Sequence, residues 1–145
     1  MGKPPHRSML RLLVLRLLLE KDMHGYEMMK HLKELSNNTW KPAPSTLYPL
    51  LNSLEKEGLI RTVSVEHGVR SGSRIRYALT RKGLEELADR SLRAIRGMNK
   101  ALLYILEGTL KACRQLGDEK CIDEALGIIK DYFKLVHEAE KKYNR

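Results

Sequence analysis

Between residues 8 and 21 the apolar positions Leu10, Leu13, Val14, Leu17 and Leu18 recur at three and four residues, which predicts an amphipathic helix capped by Ser8. His24-Gly25 interrupts this period, and Tyr26 to Leu35 restores it with Tyr26, Met29 and Leu32 expected inward and Lys30 and Lys33 outward. Ser36-Asn37-Asn38 closes that second helix. A third helical stripe follows at Leu47, Leu50, Leu51 and Leu54, with Ser45, Asn52 and Lys56 on the opposite side and Tyr48 on the flank. Pro42 and Pro44 make the approach extended, Ser45 is expected to cap, and Pro49 is expected near the end of the first turn. Gly58 is the expected stop.

Beyond Gly58 the period shortens to two. Residues 60–66 are rich in β-branched side chains and residues 74–79 alternate, so they predict two strands of a hairpin. The tip contains two glycines and Arg70, with Arg74 and Arg76 alongside. Thr80 then caps a long helix over 81–116 whose seam includes Leu84, Leu87, Ile95, Met98, Leu102, Ile105 and Leu106. Gly117-Asp118 separates it from a helix over 119–143. There Ile122, Ala125, Ile129, Tyr132, Val136, Ala139 and Tyr143 keep a heptad spacing, widened by Leu126 and Phe133. Seams this long exceed what an 80-residue domain covers, so the expected fold is mainly α: a winged helix-turn-helix over 1–82, then two dimerisation helices over 83–145.

Charge supports a polyanionic partner for the first half. The 145 residues carry 27 Lys and Arg against 18 Asp and Glu. Of these, 15 basic and 7 acidic residues precede Leu84, leaving the rest close to neutral. A helix start bearing hydroxyls and a phenol also suits phosphate. We therefore expect duplex DNA to meet Lys41, Ser45, Thr46, Tyr48, Asn52, Lys56, Arg70, Arg74 and Arg76. The expected homodimer seam comprises Leu87, Ile95, Met98, Leu102, Ile105, Ile122, Ile129, Phe133 and Val136. One Phe and no aromatic-rich strand argue against single-stranded RNA. No phosphate loop, dinucleotide fingerprint, zinc-protease motif or nucleophile elbow occurs, and the five histidines are scattered, so no enzyme, metal or cofactor is expected. A winged-helix protein-interaction module remains the alternative. Arg11 and Arg16 break the first apolar run, which argues against a signal peptide or membrane span and for a cytoplasmic protein. Cys113 and Cys121 show no zinc spacing and are expected as small buried hydrophobes rather than a redox switch.

Four blocks carry a family resemblance: His24-Gly25-Tyr26-Glu27, the run from Ser45 to Leu51, the run from Leu54 to Ile60, and the run from Tyr77 to Gly83. In this order and spacing they resemble the PadR-like family across about residues 12–87. The resemblance implies a winged helix-turn-helix transcriptional regulator, commonly a repressor, that dimerises through helices after the wing. It further implies recognition-helix contacts at Ser45, Thr46 and Tyr48 and a wing contact from the basic hairpin. Ala43 departs from the pattern, standing where a polar residue often precedes the proline. Some relatives bind phenolic acids or flat drugs between the dimerisation helices, so the resemblance leaves room for a small-molecule effector of unknown identity.

Overall fold

The computed structural model describes residues 7–68 and 72–144, and of residues 68, 72 and 73 the backbone alone. Its elements run α1 (Arg7–Glu20), β1 (Met23–His24), α2 (Gly25–Leu35), α3 (Pro44–Lys56), β2 (Ile60–Gly68), β3 (Gly72–Leu79), α4 (Arg81–Leu116) and α5 (Glu119–Tyr143). The three strands form an antiparallel sheet in the order β1-β3-β2. This is the mainly helical winged architecture that the periodicities predict. The chain divides into two compact units, Met1–Arg93 and Ala94–Arg145.

In the first unit, Leu10, Val14, Leu15 and Leu18 of α1 meet Met28, Met29 and Leu32 of α2 and the four leucines of α3. Leu59, Ile60 and Tyr77 close this core from the sheet side. Three details differ from the sequence expectation. Tyr26 points outward and is 65 % exposed, because the buried stripe of α2 runs through Gly25, Met28, Met29 and Leu32 and leaves position 26 off the inward face. Leu15, which the period of α1 did not single out, is buried, whereas Leu13 and Leu17 are only partly so. β1 was not expected at all, since two residues carry no period; Met23 pairs with Tyr77 and His24 with Arg76.

Local chemistry sets the boundaries. Gly58 adopts φ +76° after α3, and the amide of Leu59 reaches back to the Leu54 carbonyl at 3.0 Å, a helix stop that favours glycine. Thr80 caps α4 as expected, its Oγ1 accepting from the Gly83 amide at 3.0 Å. Gly83 sits where α4 crosses the start of β2. A Cβ there would strike the Leu59 carbonyl oxygen and lie 2.7 Å from Leu79 Cδ1. Leu87, expected in the dimer seam, is instead 6 % exposed within the first unit's core, so its apolar surface is already covered.

The second unit is a helical hairpin formed by the rest of α4 and by α5. Gly117 turns it at φ +66°, and Asp118 caps α5 by accepting from the Cys121 amide at 3.0 Å. Among the described residues, Cys113 and Ala125 are its buried side chains. Cys113 and Cys121 are joined as a disulfide with their Cα atoms 5.7 Å apart, which corrects the expectation of two free thiols. The physical reason is the turn: four residues on either side of Gly117 place the two cysteines on adjacent turns of the facing helices.

A candidate DNA interface on the first unit

α3 begins at Pro44 with Ala43 as its N-cap, and no side chain caps it. The amides of Thr46 and Leu47 are satisfied by the Ala43 carbonyl, at 2.9 and 3.0 Å. Ser45 is therefore not the cap. Its hydroxyl stays exposed on the first turn, where helix amides and dipole favour an anion. With α3 starting at Pro44, Pro49 falls in the second turn rather than near the end of the first, so its missing N–H leaves the Ser45 carbonyl without an intrahelical donor.

Burial separates the two faces of α3 cleanly. Leu47, Leu50, Leu51 and Leu54 are buried, while Ser45, Thr46, Tyr48, Asn52 and Lys56 are all exposed. A groove of about 610 Å³ opens beside the helix start, lined by Arg7, Trp40, Lys41, Ser45, Thr46 and Pro49 among others. Two cations, two hydroxyls and an indole edge in one open groove match the needs of a sugar-phosphate backbone.

Two of these side chains are positioned by the start of α2. The Tyr48 ring lies across Gly25, close enough that a Cβ there would be 2.8 Å from Tyr48 Cε1 and 3.2 Å from its hydroxyl. Lys41 Nζ lies 5.6 Å from the centroid of the Tyr26 ring, a cation–π contact. The roles of Gly25 and Tyr26 were missed by sequence reasoning. The signal was the joint presence of the His24-Gly25-Tyr26 and Leu47-Tyr48-Pro49 blocks, which this packing explains. The connection between α2 and α3 is fixed by Ser36, whose Oγ accepts from the Trp40 amide at 3.0 Å and donates to its carbonyl at 2.7 Å.

The base of the wing is fixed on both of its strands. Glu55 of α3 accepts from the Thr62 amide at 2.9 Å and from its hydroxyl at 2.6 Å, beside an irregularity in register between Thr62 and Ser64. On β3, Arg76 donates to the Asp22 carbonyl at 2.9 Å and lies 2.9 Å from His24 Nε2, with Glu66 and Glu27 at 3.9 and 4.0 Å. Arg76, expected among the DNA contacts, thus has its guanidinium held by four protein partners. Arg74 is exposed, and Arg70 lies outside the described residues.

His24 is 8 % exposed and its amide donates to Glu27 at 2.8 Å, which, with Arg76 adding to it, holds the Glu27 carboxyl below the usual carboxylate range. Arg11 of α1 forks onto Glu57 at the end of α3, with Nη1 to Oε1 at 3.0 Å, and Glu86 stands 3.8 Å away. This hydrogen-bonded ion pair holds Glu57 down at about 2. α1 thereby braces the far end of the exposed helix.

On the second unit, Ile95, Met98, Leu102, Ile105, Phe133 and Val136 are exposed, while Ile122 and Ile129 are half-buried between the helices. An apolar groove of about 560 Å³ runs along this hairpin. Among the described residues, no helix is long and apolar enough to cross a membrane.

Comparison with known proteins places this geometry. The family model for the transcriptional regulator PadR-like family matches residues 14–89. The chain is 30% identical over 117 residues to the transcriptional regulator YqjI of Escherichia coli (strain K12), covering 81% of this chain and 46% of that one. It thus spans about half the length of that relative. A solved PadR family transcription regulator from Clostridium difficile is 25% identical with a TM-score of 0.53, covering 67% of this chain and 97% of that one. Bacillus subtilis PadR, solved in complex with operator DNA, shares the fold at a TM-score of 0.50 and 20% identity, over 90% of this chain and 96% of that one.

Proposed function

We propose, since this chain belongs to the PadR-like family of transcriptional regulators, that it is a sequence-specific duplex-DNA-binding repressor acting as a homodimer in the cytoplasm. The observation that carries the reading is the division of α3. Its leucine face is wholly buried, and Ser45, Thr46, Tyr48, Asn52 and Lys56 are left exposed together beside the Arg7 and Lys41 groove. An element of this shape enters a major groove with its first turns toward the bases. The operator complex of Bacillus subtilis PadR, on the same fold, supports duplex DNA as the partner.

In this reading the contacts divide by chemistry. Lys41, Lys56, Arg74 and Arg70 meet phosphates and supply affinity. Asn52, a short bidentate amide on a braced helix, reads a base edge. Ser45, Thr46 and Tyr48 fix the register on the backbone. Arg76 contributes by holding the hairpin against β1.

The homodimer rests on the second unit. A 52-residue hairpin whose buried side chains among the described residues are Cys113 and Ala125, with six or more large apolar residues exposed on α4 and α5, presents more apolar surface than a monomer keeps in water. A second copy covers it isologously, which also matches a palindromic operator. Family membership makes an enzyme the weaker reading, and an effector would act on this same helical region.

The test is Asn52→Ala measured on a selected preferred duplex and on random duplex. The expected loss is about 1–3 kcal/mol on the first and little on the second. Equal losses on both would remove Asn52 as a reader, and no salt-dependent duplex affinity in the parent chain would return the protein-interaction module.

A further inference from the structure

We propose that the Cys113–Cys121 pair is a reversible thiol-disulfide clamp that sets the order of the α4–α5 hairpin and thereby the strength of the dimer. The first observation is placement. The bond closes a loop of eight residues' separation across the Gly117 turn. The same turn is held by the Asp118 amide on the Cys113 carbonyl at 3.0 Å and by the Cys121 amide on the Asp118 carboxylate at 3.0 Å. These two hydrogen bonds set the turn itself, and the disulfide is what ties the two helices together beyond it.

The second observation is what the clamp holds. One helical turn beyond each cysteine lie Thr109 and Ala125, the first residues of the apolar groove that continues through Leu106, Leu102, Ile129 and Tyr132. The bond therefore fixes the separation of the helices at the closed end of that groove. With Cys113 and Ala125 as its buried side chains among the described residues, this unit has almost no core to hold the helices together. A small unit of that kind depends on a staple or on a partner. The inference rests on the dimer reading above, since the partner is the second copy.

The third observation is access. Cys113 is 2 % exposed, whereas Cys121 is partly exposed, so the two sulfurs have distinct roles. From the reduced state, the Cys121 thiolate attacks one sulfur of a low-molecular-weight disulfide, forms a mixed disulfide and releases one thiolate. The Cys113 thiolate then attacks the Cys121 sulfur, closes the clamp and releases the second thiolate. The protein gives up two electrons, the small disulfide is reduced to two thiols, and the two cysteine protons end on them.

The experiment equilibrates the full chain in mixtures of reduced and oxidised glutathione. Intact mass after acid quench and alkylation reads the bond, and sedimentation equilibrium reads the dimer. The oxidised chain is expected two daltons lighter, with its dimer dissociation constant at least about tenfold below that of the reduced chain, because the bond removes in advance loop-closure entropy that the reduced hairpin loses on dimerising. Cys121→Ser, run in parallel, is expected to match the reduced chain in either mixture. Failure to gain the two-dalton loss at any glutathione ratio would overturn the site. An equal dissociation constant for both forms would overturn the coupling and leave the dimer standing. A monomer in both forms would sink the dimer reading and the coupling with it.

Discussion

Replacing Gly25 by Ala should weaken DNA binding while barely changing stability, because the added methyl meets a side chain that can move. At Gly25 a Cβ would lie 2.8, 3.1 and 3.2 Å from Cε1, Cζ and Oη of Tyr48. Carbon atoms pack best at about 3.5–4.0 Å, so the far end of the ring must retreat by roughly 1 Å. The ring is 41 % exposed and free to swing, and the three atoms nearest the added methyl all belong to it. Alanine also favours the helix that starts there, by up to about 1 kcal/mol, so net stability should stay within about 1 kcal/mol of the parent. A hydroxyl displaced by roughly 1 Å leaves the distance window of a hydrogen bond. The loss of a bond to a charged phosphate oxygen is worth about 1.5 kcal/mol, or roughly tenfold in affinity. Urea unfolding and fluorescence anisotropy on the preferred duplex measure the two quantities. The decisive control is Tyr48→Phe: in that background Gly25→Ala should cost no further affinity. A tenfold loss persisting there, or unchanged affinity in the single variant, would refute the positioning role.

Four other substitutions separate structure from recognition. Glu57→Gln should cost no more than about 1 kcal/mol at neutral pH, because the pair with Arg11 is partly solvated. Since pairing lowers Glu57 from 4.5 to about 2, its contribution is complete above about pH 4.5 and lost as pH falls toward 2. Acid titration of the parent should show that loss, and the variant should lack it. Gly83→Ala should be far worse than Gly25→Ala, at roughly 3 kcal/mol or more in urea unfolding, because its methyl meets the Leu59 carbonyl and backbone cannot swing aside. An unchanged midpoint would show that α4 can shift along the sheet. Arg74→Ala should lower the salt slope of binding by about 1 with stability unchanged, whereas Arg76→Ala should lower stability and loosen the wing. Equal behaviour of the two in unfolding and binding would contradict the partners found for Arg76.

The helices were legible where a period of three or four met a breaker. α4 and α5 run over the residues that Thr80, Gly117 and Asp118 delimit, because cap chemistry is written in single residues. The α3 stripe was legible too, since four leucines leave one inward face. What was not legible depends on which side chain meets which across the fold. β1 consists of two residues held by pairing to β3 and by Arg76, and nothing local marks it. Arg76 reads as one more wing cation until Asp22 and His24 are seen beside it. Leu87 fits the α4 seam by period, yet Gly83 brings that end of the helix against β2 and buries it. The cysteine pair was readable as spacing about Gly117 and unreadable as a bond, because a spacing alone does not bring two sulfurs together.

The central claim is that two copies of this chain present two α3 helices to one duplex. Sequencing the genomic DNA fragments that the purified full chain retains at physiological salt tests it most directly. The account predicts a palindromic consensus with half-sites about one helical turn apart, or a multiple of it. Retained fragments with no shared sequence, or a consensus without two-fold symmetry, would contradict it.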